Sequence, residues 1–155
     1  MKMTPELKKA RENMEPGIIT AEGFLGSDPR SLSGILDEDA QLMRKMELDS
    51  VEVAGRLRYF MEEGRKGLGE PVSVDGTWLV KTDEARGRLA CPWEDGIFRK
   101  VNVSVQRKDT GEKILFTDLS LHLLEAHGFL EGRGSVFRLE PEQIRSVLKR
   151  YRGNV

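Results

Sequence analysis

The 155-residue sequence has few soft or borderline metal ligands, with one cysteine and two histidines. A single cysteine excludes a disulfide within the chain and fits a reducing compartment. Aromatic residues make up only 6% of the chain, so we expect a core built mainly from aliphatic side chains. Any thiol or imidazole chemistry must therefore use Cys91, His122 or His127.

A large net charge and long apolar runs are also absent. The formal net charge is −1, which gives no general attraction to nucleic acid or to an anionic membrane. Nucleic acid is therefore not expected as a partner. No run approaches the roughly 18 apolar residues of a membrane helix, and residues 1–16 lack the apolar stretch of a signal peptide. These features predict a cytoplasmic protein without membrane contact.

Several segments repeat apolar residues about every 3.6 positions, the spacing of a helix with one buried face. Asp49 and Glu52 have the spacing of a capping box at a helix start. The helix that they open is predicted to bury a face formed by Val51, Ala54, Leu57, Met61 and Gly64. Further helices are predicted over about 5–14, 32–46 and 118–128, and from Pro141, where the buried face would hold Ile144, Val147, Leu148 and Tyr151.

Alternating patterns predict two β-hairpins. Asp75-Gly76 links the first pair of strands and is typical of a tight hairpin turn. The second hairpin pairs residues 101–105 with 113–116, and the intervening Arg86-Gly87-Arg88 and Cys91-Pro92 are predicted to be irregular or edge structure. Residues 18–25 are predicted to be extended.

Together these elements predict a single α+β domain over residues 1–155. A small, mainly antiparallel sheet of about four strands would carry an N-terminal helix pair and two C-terminal helices on one face. The opposite face, with Asn102, Ser104 and Gln106, would be solvated or would contact a partner. Residues 1–30 are interpreted as an arm that packs on the domain or on a partner, and a homodimer is one alternative.

The candidate metal site combines Cys91, His122 and His127, with Asp118, Asp95 or water as a further ligand. Zinc prefers four tetrahedral ligands drawn mainly from cysteine and histidine. The segment from Leu119 to Gly128 is similar to the helical half of a C2H2 zinc finger, because four residues separate its histidines. The cysteine pair that precedes this helix in such fingers is missing, so the resemblance implies neither that fold nor DNA binding.

Helix geometry works against this site. Histidines five positions apart on a regular helix point about 140° apart, so both rings can reach one ion only if the last turn is distorted. The alternative is structural: a half-buried His122, a His127 that interacts with the helix end, and a Cys91 that acts as a small buried apolar residue. A Cys–His nucleophilic pair has no supporting motif, so no catalytic residue is assigned.

A second candidate site is the glycine-rich loop formed by Arg133, Gly134 and Ser135 with the nearby Arg138, which could bind an anion or another ligand. It lacks the lysine and the length of a phosphate-binding P-loop. No motif assigns an enzyme reaction or an organic cofactor. Two hypotheses remain open: a non-enzymatic binding or interaction module, and a zinc- or iron-binding protein that uses Cys91, His122 and His127.

Overall fold

The computed structural model describes residues 3–149 and confirms a single α+β domain. Tyr151, predicted on the buried face of the last helix, lies outside the described residues. The elements in chain order are α1 (Pro5–Asn13), α2 (Leu32–Lys45), α3 (Ser50–Arg65), β1 (Val72–Val74), β2 (Trp78–Ala90), β3 (Ile97–Arg107), β4 (Lys113–Thr117), α4 (Asp118–His127) and α5 (Pro141–Leu148).

The sheet is antiparallel, and its four strands follow chain order, β1-β2-β3-β4. Asp75 and Gly76 both have positive φ angles, 52° and 69°, as a tight hairpin turn with the natural strand twist requires. This confirms the first predicted hairpin. The second is confirmed by the pairing of β3 with β4, from Asn102 opposite Thr117 to Gln106 opposite Lys113.

Strand β2 is longer than the sequence pattern predicts, because it continues through the segment expected to be irregular. The register with β3 shifts between Ala85 and Arg88, where two extra residues form a bulge, and Gly87 supplies a φ of 99°. Pairing then resumes and runs to Ala90 opposite Ile97. The β2–β3 ribbon therefore extends beyond β1 and β4 and carries the loop of residues 91–96 at its far end.

The apolar core has two parts. The larger lies between the sheet and helices α3, α4 and α5, and it includes Trp78. On α3 the predicted face is mostly correct, but Val51 is 59% exposed, while Val53, two positions later, is buried. Val51 lies in the first turn of α3, and its side chain does not face the core there.

The smaller core joins the N-terminal residues to α2, α4 and the far end of the ribbon. Leu7, Ala10 and Met14 of the first helix and its C-terminal cap are buried there. Residues 18–25 form turns and bends rather than an extended strand: Ile18 is 62% exposed while Phe24 is buried. The arm thus packs on its own domain, and the Gly132 N–H donates to the Phe24 carbonyl.

Among residues 3–149, no helix is both long enough and apolar enough to cross a membrane.

Candidate metal centre

The loop between β2 and β3 is held in a compact turn that starts at Cys91. The Cys91 N–H donates to the Gly96 carbonyl at 3.0 Å, and the Glu94 N–H donates back to the Cys91 carbonyl at 2.8 Å. From α1, the Asn13 side-chain amide donates to the Pro92 carbonyl at 2.8 Å. These bonds fix the backbone that carries Cys91 and Asp95.

Helix α4 presents both histidines to this loop. It begins with a capping box, in which Thr117 and Ser120 each satisfy the backbone N–H of the other. It ends at Gly128, which has a left-handed φ of 62°. The Gly128 N–H donates to the Leu124 carbonyl and the Phe129 N–H donates to the Leu123 carbonyl, both at 3.0 Å, which is the usual closure of a helix by a left-handed residue. The helix is regular through His127, and the centroids of the two imidazoles lie 5.3 Å apart, so both rings come close without the distortion that their spacing predicted.

Cys91, Asp95, His122 and His127 converge at the end of α4. The Asp95 carboxylate lies between the histidines, with Oδ1 2.9 Å from His122 Nε2 and Oδ2 2.8 Å from His127 Nε2. The Cys91 Sγ lies 3.7 Å from His127 Nε2. One potential ligand atom from each of the four side chains lies within 4.8 Å of the others, and residues 3–149 contain no second group of this kind with three or more ligands.

Aromatic side chains orient both imidazoles. The Trp93 ring stacks on His127 with 4.1 Å between centroids and 8° between planes. The Phe98 ring lies over His122 at 4.4 Å and 29°. Cys91 is fully buried, the histidine side chains are 16–17% exposed, and Asp95 is 40% exposed. The cluster is therefore shielded on the protein side and reaches solvent through Asp95.

Burial and the neighbouring groups shift the proton affinities within the cluster. Burial, assisted by the negative charge of Asp95, raises the pKa of the Cys91 thiol to about 12. Burial would also raise the pKa of Asp95, but hydrogen bonds from Cys91 and His122 and the nearby His127 outweigh it and bring the pKa to about 2. Burial lowers the pKa of His127, although Asp95 opposes this effect. In the absence of a cation, the thiol therefore keeps its proton.

This geometry does not match a nucleophilic triad. A triad places the nucleophile on one imidazole nitrogen and the orienting carboxylate on the other. Here the Cys91 thiol and the Asp95 carboxylate both face Nε2 of His127. Moreover, a reactive cysteine has a lowered thiol pKa, whereas that of Cys91 is raised. The cluster is not arranged for attack by Cys91 on a substrate.

The donor types suit a tetrahedral metal ion, and ligand atoms that lie up to 4.8 Å apart would have to approach by about 1 Å to bind it. Zinc bonds of about 2.0–2.3 Å to nitrogen, oxygen and sulfur place neighbouring ligand atoms about 3.3–3.8 Å apart. The 3.7 Å between Cys91 Sγ and His127 Nε2 already meets this spacing. The shorter 2.8 and 2.9 Å contacts of Asp95 are hydrogen bonds that would open by less than about 1 Å around an ion.

The structure thus brings together the three residues singled out in the sequence, but not Asp118. The Asp118 carboxylate lies in the first turn of α4, where it accepts the backbone N–H of Arg99 at 3.3 Å. Asp95, considered only as one alternative from the sequence, joins the cluster instead. Asp95 lies in the tight 91–96 turn, four residues after Cys91, and the sequence carries no signal that selects it over Asp118.

The predicted anion loop is occupied by internal contacts. The Arg133 N–H donates to Asp28, and the Ser135 hydroxyl donates to the Glu131 carboxyl. The buried Arg138 guanidinium is bonded to Asp39 and Glu140. Gly134, with a φ of 92°, provides the turn. Anion binding by this loop stays a prediction: the Ser135 and Arg138 side chains already have partners, and the Arg133 side chain is exposed.

No protein-family model, curated protein or solved structure matches this chain, so its site has to be interpreted from its own geometry.

Proposed function

We propose that this protein is a non-enzymatic zinc-binding protein that holds one ion between Cys91, Asp95, His122 and His127. The observation that carries the proposal is the convergence of four potential ligand atoms within 4.8 Å. One thiolate, two imidazoles and one carboxylate are the ligand types that zinc accepts in tetrahedral sites. The two stacked aromatic rings support it further, because they hold the imidazoles in place.

The role that fits this ligand set is structural. Four protein ligands close the coordination sphere of zinc, whereas catalytic zinc sites keep one position for water or substrate. The ion would fasten the 91–96 loop, at the far end of the β2–β3 ribbon, to the end of α4. Zinc coordination would also replace the proton of the Cys91 thiol, because a coordinating thiol is deprotonated by the metal.

The experiment is metal analysis by inductively coupled plasma mass spectrometry after purification and a mild buffer wash. We expect nearly one zinc per wild-type chain and a loss of most of it in His122→Ala, since removing one of four ligands weakens the site. The matched control is Asp118→Asn on the same helix. Asp118 lies outside the cluster, so this variant should retain zinc.

Circular dichroism establishes that each variant is folded. A metal-free wild type, iron in place of zinc, or undiminished zinc in a folded His122→Ala variant would each contradict the proposal. If His122→Ala does not fold, Cys91→Ser replaces it, because a hydroxyl is a much weaker zinc ligand than a thiolate.

A further inference from the structure

A separate cleft of about 260 Å³ lies where the N-terminal arm meets the sheet and the 131–137 loop. Residues 20–24 form one side of it, and Thr117 and Leu119 lie at the junction of β4 and α4 on another. None of the four cluster residues lines it. Its volume is below the 300–1,000 Å³ usual for drug-sized ligands, so it suits a small molecule.

A buried carboxyl group, that of Glu131, belongs to the lining of this cleft. Glu131 is only 5% exposed. The Ser135 hydroxyl donates to its Oε1 at 2.7 Å, and the Ser120 hydroxyl is a second hydrogen-bonding neighbour. Burial raises the pKa of Glu131 to about 7, against an ordinary value of 4.5. The carboxyl group is therefore held by neutral hydroxyl groups in a poorly solvated place.

No cationic side chain among residues 3–149 forms an ion pair with Glu131. Arg138 directs one N–H to the Glu131 backbone carbonyl at 2.6 Å, and its remaining bonds go to Asp39 and Glu140. The other fully buried acid, Asp39, has a two-pronged ion pair with Arg138. A buried carboxylate without a countercharge is costly, so a bound cation would gain a strong charge-assisted hydrogen bond.

Apolar side chains form much of the remaining wall. Phe24, Leu119 and Phe137 line the cleft together with Leu89 and Val136. An apolar wall with a few convergent polar groups is the usual composition of a small-molecule site. A free anion is a poor fit, because it would face the Glu131 carboxylate.

We propose that this cleft binds a small organic amine, with the ammonium group on the Glu131 carboxylate and an apolar body against Phe24, Leu119 and Phe137. The ligand supplies the positive charge that Glu131 lacks. The loop singled out in the sequence as an anion site then contributes to a cation site, through the Ser135 hydroxyl that orients the Glu131 carboxylate.

The test is an NMR titration of ¹⁵N-labelled full-length protein at pH 8 with 2-phenylethylamine. Its neutral analogue, 2-phenylethanol, has the same apolar body and is titrated in parallel. We expect the amine to shift the backbone amide signals of Phe24, Leu119 and Ser135. In Glu131→Gln the affinity for the amine should fall at least about tenfold, because a charge-assisted bond is lost, while the weaker affinity for the alcohol stays unchanged.

A second variant, Val136→Trp, places a large side chain at the partly exposed rim of the cleft and keeps Glu131. It should weaken the binding of both compounds. The proposal is overturned if millimolar amine shifts none of these signals, if amine and alcohol bind wild type equally, or if Glu131→Gln binds the amine as wild type does. Displaced signals confined to residues outside the cleft would overturn it as well.

Discussion

Replacing Asp39 by asparagine is expected to lower the free energy of unfolding by about 3 kcal/mol or more, because it leaves a buried guanidinium without its main countercharge. Asp39, on α2, is 1% exposed and accepts two bonds from Arg138, at 2.8 and 3.1 Å. Arg138 remains buried in the variant, with Glu140 as its remaining carboxylate partner. Urea unfolding monitored by circular dichroism measures the change.

The neighbouring Glu38→Gln variant is the matched control for Asp39→Asn. Glu38 is also on α2 and also pairs with an arginine, Arg30, at 2.9 Å, but its side chain is 59% exposed. Exposed ion pairs contribute up to about 1 kcal/mol, so the control should lose much less stability. Equal losses in the two variants would show that the Asp39–Arg138 pair does not tie α2 to the C-terminal loop as described.

Glu131 is expected to make wild-type stability fall with rising pH. Its folded-state pKa of about 7 lies above the ordinary value of 4.5, because burial disfavours the charged form. Such a carboxyl contributes its full stability below pH 4.5 and loses it as the pH rises to about 7, where the folded form also ionises. The difference between a pKa of 4.5 and one of about 7 corresponds to roughly 3 kcal/mol across this window.

The measurement compares wild type with Glu131→Gln by urea unfolding from pH 4.5 to pH 8. Glutamine cannot ionise, so the variant should gain about 3 kcal/mol relative to wild type as the pH rises through this range. The difference between the two proteins cancels the contribution of other titrating groups. Glu142→Gln, at an exposed position of α5, controls for the substitution itself. A pH-independent difference at Glu131 would contradict the account of its burial.

The helices and hairpins were predictable because their signals are local. The tight turn at Asp75-Gly76 needs two positive φ angles and the helix end at Gly128 needs one, and all three residues have them. The continuation of β2 to Ala90 was not predictable from alternation, since the bulge at Arg86-Gly87 shifts the register and breaks the pattern. The exposure of Val51 at the start of α3 was also not predicted, because periodicity alone does not show at which residue a helix begins to contact the core.

The candidate metal ligands were partly predictable, since Cys91, His122 and His127 are the chain's whole supply of thiol and imidazole groups. Asp95 could not be selected over Asp118 from the sequence. The choice depends on how the 91–96 turn packs against α4, across a separation of 27 residues from Asp95 to His122. Glu131 gave no signal either, because the sequence holds 26 acidic residues and burial of one of them is a tertiary effect.

Cobalt substitution tests the proposed zinc centre most directly, because Co²⁺ reports both its ligands and its geometry in its absorption spectrum. Titrating metal-free protein with Co²⁺ should give intense visible bands from a tetrahedral ion and a near-ultraviolet thiolate-to-cobalt band, saturating near one ion per chain. Zinc should bleach both, and Cys91→Ser should lose the near-ultraviolet band. Weak octahedral absorption alone, or a spectrum unchanged in Cys91→Ser, would contradict a site formed by Cys91, Asp95, His122 and His127.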